Sequence, residues 1–271
     1  MTRRPTGHPF LDAGLEHPGS VLAFAHRGGA FHPDLEGLEN SVAAFEHAVD
    51  LGYLHLETDV HATRDGVLLA FHDAALGRVT ERTERLEDLA YVDVAAALIA
   101  GREEIPTLER LLERFPHAFF NIDIKSATAV RPLARLLDRT QTHDRVCVAS
   151  FSHRRIAEFR GHSRGRVLTA ASPPEVAALR FSPGPLRGSL PPGPGPGPLQ
   201  VPHRFRGVPV VTAGLVARAH RAGRQVHVWT IDDPREMHQL LDLGVDGLMT
   251  DRTDLLREVL LARGQWMGAT L

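Results

Sequence analysis

From Val21 almost to the C-terminus, short β-branched runs alternate with stretches of helical apolar period. Extended runs are read at residues 21–26 (VLAFAH), 55–61 (HLETDVH), 66–73 (GVLLAFHD), 119–125 (FFNIDIK), 145–152 (RVCVASFS), 167–170 (VLTA), 199–202 (LQVP), 208–211 (VPVV), 226–230 (VHVWT) and 246–250 (DGLMT). Helices are predicted at 41–52, 130–139, 153–160, 174–179, 213–222, 234–243 and 254–262. In the first, Ser41 is the cap, Val42, Phe45 and Val49 share a face, and Gly52 ends it. A strand that recurs after each helix requires a mainly parallel sheet. About eight such units in 271 residues favour closure into a TIM-type (β/α)8 barrel, an α/β fold. The rival is a doubly wound open sheet, which usually carries a Gly-x-Gly-x-x-Gly loop after its first strand. His26-Arg27-Gly28-Gly29-Ala30 is not that pattern.

Two segments break the rhythm. Residues 74–105 carry the charged run ERTERLED (81–88) and then YVDVAAAL (91–98), which predicts a small excursion after the second strand. Twelve of the sixteen residues at 183–198 are Pro or Gly; Pro lacks the donor and Gly costs entropy, so neither helix nor ladder is expected. A surface loop within a single domain of residues 1–271 is preferred to a linker, because the units on either side are too few to close a barrel alone.

Composition closes off several functions. The net charge of -2 offers no basic field for nucleic acid, and 6% aromatics offers little base-stacking surface. Cys147 is the only cysteine, which excludes an intramolecular disulfide and a Cys-based zinc site; in VCVAS it reads as a small core residue. Arg3 and Arg4 are followed by no apolar h-region, and no run reaches the roughly 18 apolar residues of a membrane span. The expectation is a cytoplasmic protein without stable membrane insertion.

In such a barrel the chemistry sits at the C-terminal ends of the strands, and polar residues recur there. The first strand runs into His26-Arg27, a titratable ring beside a fork-shaped cation suited to phosphate. Glu39-Asn40 precedes the first helix, where local capping is the simpler explanation. Glu57 and Asp59 alternate on one face of the second strand, and two inward carboxylates call for a cation such as Mg²⁺ or Ca²⁺. A solvated edge strand is the alternative. His61 shares that face and reads as a rim residue. The run 66–73 ends in His72-Asp73. Two histidines about a phosphate supply a base for the nucleophile and an acid for the leaving group. On the third strand Asp123 and Lys125 alternate in the same way, as a metal ligand and a phosphate contact or as an internal ion pair.

The motifs AHRGG (25–29), LENS (38–41), LETDV (56–60), TRDGVLLAFHD (63–73), IPTL (105–108) and IDIK (122–125) follow in the order and spacing that resemble glycerophosphodiester phosphodiesterases. VHVWTIDD (226–233) and LGVDGLMTD (243–251) are similar to that family's closing signature. The resemblance implies a TIM barrel that hydrolyses glycerophosphodiesters to an alcohol and glycerol 3-phosphate with Mg²⁺ or Ca²⁺. It implies His26 and His72 as the acid–base pair and Arg27 and Lys125 on the phosphate. Glu57, Asp59 and Asp123 would hold the metal, with Glu39 as a further ligand or glycerol contact, Asn40 near the substrate, and Trp229 as an apolar wall. Two departures stand out: Asp123 takes a position where the family more commonly has Glu, and Thr250-Asp251-Arg252-Thr253 lacks a frequent proline. A phospholipase D-like activity and a non-catalytic phosphodiester-binding barrel are the alternatives.

Overall fold

The computed structural model describes residues 4–181 and 197–268. Most of the Pro/Gly-rich stretch expected at 183–198 lies outside the described residues. Among the described residues, eight parallel strands form one curled sheet: β1 (Leu22–His26), β2 (His55–Ala62), β3 (Phe119–Ile124), β4 (Val146–Ala149), β5 (Leu168–Thr169), β6 (Leu199–Pro202), β7 (Val226–Trp229) and β8 (Gly247–Thr250). Their spatial order is β5-β4-β3-β2-β1-β8-β7-β6. The first strand therefore lies against the last, with Leu22 opposite Gly247 and Ala25 opposite Thr250. A doubly wound sheet reverses its order at a switch point and does not join its ends; this sheet is of the barrel type. Between β5 and β6 the Ala171 N–H donates to the Pro198 carbonyl at 2.9 Å.

Among the described residues, eight helices return the chain: α1 (Val42–Asp50), α2 (Leu108–Arg114), α3 (Val130–Thr140), α4 (His153–Ser163), α5 (Pro173–Phe181), α6 (Ala213–Arg221), α7 (Pro234–Asp242) and α8 (Thr253–Ala262). Ser41, Thr107, Ser152, Thr212 and Asp233 cap five of them, each side-chain oxygen accepting an orphan N–H of the first turn. In α3 the buried Val130, Leu133, Ala134 and Leu137 recur at helical spacing, and this stripe faces the sheet. No described helix is long and apolar enough to cross a membrane.

Three expectations are corrected. Residues 208–211 do not add a barrel strand. Arg206 and Gly207 both take positive φ (49° and 80°), and this two-residue turn folds Arg204–Phe205 and Val208–Pro209 into a separate antiparallel hairpin. Residues 68–70 are extended but pair antiparallel with the end of β2, so they open the excursion. That excursion has its own small core, including Leu69, Phe71, Leu76, Leu86, Val94 and Ile99. Each fully buried Leu, Ile or Phe there contributes about 1.5–3 kcal/mol, enough to hold a segment with little regular structure. In α1 the buried residues are Ala44, Phe45 and Ala48, whereas Val49 is exposed.

Candidate active site

Side chains alternate across each strand, so every second residue points into the barrel. Along β1 these are Leu22, Phe24 and His26; along β2, His55, Glu57, Asp59 and His61; on β3 and just beyond it, Phe119, Asn121, Asp123 and Lys125. The lower half of the lumen is apolar and packed with Leu22, Phe24, Cys147, Leu168 and Met249. A short N-terminal helix, Pro9–Asp12, plugs the floor. Its Phe10 ring meets His55 edge-on at 4.9 Å, and the His55 Nε2–H donates to the Phe10 carbonyl at 2.9 Å. Cys147 is fully buried, as expected, and burial pushes its thiol up. Above this floor the columns of β1, β2 and β3 end in polar residues, which gather at the C-terminal mouth.

His26 is the last residue of β1. Its Nδ1–H donates to Asp251, just past β8, at 2.8 Å, and its Nε2 lies 3.7 Å from Glu57 on β2. Burial alone would lower the pKa of this ring; the Glu57 carboxylate and the Asp251 bond outweigh it and raise it to about 8. The chain then turns sharply. Arg27 takes φ 50°, and Gly28 and Gly29 take 86° and 95°. A Cβ at Gly28 would meet Ala44 Cβ at 2.6 Å, so only glycine lets the loop pack on α1.

Arg27, Glu39, Asp59, Asp123 and Lys125 come together at the mouth. Lys125 Nζ lies 2.9 Å from Asp59 and 2.7 Å from Asp123. Arg27 Nε approaches Asp59 to 3.0 Å, though too far off line for a hydrogen bond, and its guanidinium reaches Glu39 at 3.4 Å. Asn40, with φ 59°, caps nothing; that role belongs to Ser41. Its amide donates to Asp59 at 3.4 Å and accepts from Thr58 at 2.8 Å. The internal ion pair foreseen as one reading of Asp123 and Lys125 is thus formed, and it extends to Asp59.

The acids are not equally satisfied. Burial favours the neutral form of Asp59, but Lys125 and Arg27 outweigh it and hold this carboxyl low. At Glu57, burial and the charge of Asp59 push the pKa up to about 7. Burial also raises Asp123, and its Oδ1 is enclosed without a hydrogen-bond partner. An orphaned carboxylate oxygen and a second acid whose charge is under-compensated fit a hard divalent cation, which binds through carboxylate oxygens.

His72 stands on the excursion and donates from Nδ1 to Asp73 at 2.5 Å. Asp73 in turn receives Arg78 Nε at 2.5 Å. His61, expected at the rim, is instead buried, and its Nε2–H donates to the His72 carbonyl at 3.1 Å. It positions the backbone of His72. Trp229, at the end of β7, meets the exposed Phe151 ring edge-on at 5.3 Å, and Lys125 lies 5.6 Å from the Phe151 centroid. Phe151, Asp251 and Arg78 have no assigned roles in the motif reading. Strand-end position alone could have flagged Phe151 and Asp251; nothing in the spacing announces Arg78.

The profile of the glycerophosphoryl diester phosphodiesterase family matches residues 26–181 and 197–255. A Mycobacterium tuberculosis protein named "Probable glycerophosphodiester phosphodiesterase 2" is 42% identical over 267 residues, covering 94% of this chain and 96% of that one. Human lysophospholipase D GDPD1 is 28% identical, covering 87% and 85%. The fold matches that of an Oleispira antarctica phosphodiesterase solved with the product sn-glycerol-3-phosphate, with TM-score 0.72 and 18% identity over 89% of this chain and 97% of that one. A match that runs from the His26 strand end past Asp251 covers every element of this mouth, and the chain belongs to the glycerophosphoryl diester phosphodiesterase family.

Proposed function

We propose that this chain, acting as a single catalytic unit over residues 1–271, hydrolyses small glycerophosphodiesters to an alcohol and glycerol 3-phosphate. The observation that carries the reading is the pair of carboxylate-oriented histidines at one barrel mouth. His26 is held by Asp251 and His72 by Asp73, and both lie close enough to Asp59 to act on its charge.

Arg27 and Lys125 are the cations available to the phosphate oxygens, and both already lie at the acid cluster. Glu57, Asp59, Asp123 and Glu39 are the residues that would hold a divalent ion, Mg²⁺ or Ca²⁺. When bound, such an ion supplies positive charge to the non-bridging oxygens of the transition state. One histidine accepts the proton of the nucleophile, water or the substrate's own 2-hydroxyl, as its oxygen bonds to phosphorus; in the second case water then opens the cyclic phosphate to glycerol 3-phosphate. The other gives a proton to the alcohol oxygen as its P–O bond breaks. Trp229 and Phe151 form an apolar wall suited to the carbon face of glycerol.

Release of glycerol 3-phosphate from glycerophosphocholine and glycerophosphoethanolamine, in EDTA, Mg²⁺ and Ca²⁺ in parallel, tests this reading. Metal-dependent release is the expected result. No release with any metal from folded protein would sink it.

A second reading is a lysophospholipase D-type cleavage, favoured by one observation: Phe151 is exposed beside Trp229 at the mouth, where a single acyl chain would lie. Release of choline from lysophosphatidylcholine, which would leave lysophosphatidic acid instead of glycerol 3-phosphate, separates the two.

A further inference from the structure

Away from the acid cluster, His32 of the β1–α1 loop, Asp34 two residues on and His47 of α1 converge. One ligand atom from each lies within 4.8 Å of the other two. The two imidazole centroids are 4.2 Å apart, and His32 Nδ1 is 3.8 Å from Asp34 Oδ2. His47 Nδ1 is enclosed and has no hydrogen-bond partner. Two neighbouring rings, one with an unpaired buried nitrogen, make a costly arrangement that packing alone does not explain. Asp50 and Asp254 add negative charge around His47.

We propose that His32, Asp34 and His47 form a second metal site, which takes a borderline divalent ion of the Zn²⁺, Co²⁺ or Ni²⁺ class. Two nitrogens and one carboxylate suit such ions better than Mg²⁺ or Ca²⁺, which prefer all-oxygen shells. Bonds of about 2.0–2.2 Å to zinc put opposed donors no more than roughly 4.4 Å apart. The present 4.8 Å span therefore closes by small rotations of side chains that are not locked in the core. Three protein ligands leave a position for water.

The site ties the β1–α1 loop to α1. This loop is the one that leaves His26, and its Phe31 N–H donates at 3.0 Å to the carbonyl of Asp251, the residue that holds the His26 ring. A bound ion braces the loop and stabilises the fold by mass action. The site shares no residue with the acid cluster and is independent of the proposed reaction.

The test is a Co²⁺ titration of chelator-stripped full-length protein held in excess Mg²⁺, followed by visible absorption, equilibrium dialysis and thermal melting. Wild type should bind about one equivalent with ligand-field bands and a raised melting temperature. His47→Gln and His32→Gln, each folded by circular dichroism, should lose the bands and the shift. Glu57→Gln should keep both, which separates this site from the acid cluster. Absence of binding by wild type would overturn the site. So would unchanged Co²⁺ bands in the two histidine variants, or their loss in Glu57→Gln.

Discussion

Arg78 grips both carboxylate oxygens of Glu39, at 2.7 and 2.5 Å, while its Nε holds Asp73 at 2.5 Å. One guanidinium from the excursion thus joins an acid beside Arg27 to the acid that orients His72. Burial does not carry this contact, since Arg78 is nearly half exposed; geometry does, through a bidentate fork. Bridges of this kind position the groups that act, and their loss costs about 10–100-fold in metal affinity or activity. Arg78→Ala is expected to lower kcat and weaken the apparent Mg²⁺ or Ca²⁺ affinity within that range, with Arg78→Lys recovering part of the loss. Steady-state kinetics across a metal titration measures both. Wild-type values in Arg78→Ala would remove Arg78 from the site.

His26→Ala and His72→Ala should each reduce kcat on the order of 10² to 10⁴-fold at saturating metal, as expected where a proton carrier is lost. Binding of glycerol 3-phosphate should persist in both, since Arg27 and Lys125 remain. Turnover and product binding by calorimetry give the two quantities separately. Retention of wild-type turnover by either variant would dismiss that histidine from the acid–base pair.

Asp251→Asn is sharper, because it keeps the shape and changes only the charge. Asp251 helps to raise His26 above the ordinary histidine value, to about 8. Removing that charge lowers the pKa, so the limb of the kcat/KM–pH profile that belongs to His26 should move to lower pH. A full profile of wild type and variant decides it. An unmoved limb would mean that His26 does not titrate in the free enzyme's rate.

The lumen was legible because parity is a local rule. Glu57 and Asp59, or Asp123 and Lys125, share a face whatever else the chain does, and the strand ends announced His26. What lay beyond reach depends on closure. Asp251 meets His26 only because β8 pairs with β1, a contact across 225 positions. Arg78 meets Glu39 only because the excursion folds back over the mouth, across 39 positions. Residues 208–211 misled for the opposite reason. Their β-branched composition is real, but the Arg206-Gly207 turn spends it on a local hairpin.

Glu57 offers a test of metal fit that needs no catalysis. Burial and Asp59 raise its pKa from 4.5 to about 7, so the folded chain holds this proton more tightly than the unfolded chain. Stability from this group is therefore present below pH 4.5 and is lost as pH rises through about 7. In EDTA, Glu57→Gln should gain stability relative to wild type across that window. With Mg²⁺ or Ca²⁺ added, wild type should be stabilised more than the variant. Thermal melts over pH, with and without metal, report both effects. A variant less stable than wild type in EDTA at pH 8 would show that Glu57 is well compensated without a cation.

His220 on α6 makes the opposite kind of statement. Its Nε2–H donates to Asp246 at 2.8 Å, and that carboxylate also accepts the Val226 N–H at the start of β7. The bond to Asp246 raises the histidine pKa, against a smaller opposing effect of burial. A raised histidine contributes stability that is fully present below its unfolded value of 6.5 and is lost as pH rises through the folded value. His220→Gln keeps a donor but cannot carry the charge. Its deficit against wild type should be largest near pH 6 and shrink as the solution turns alkaline, with activity at saturating metal unchanged. Urea unfolding at several pH values reads this directly; a deficit independent of pH would assign the contact to shape and hydrogen bonding alone, with no ionic part.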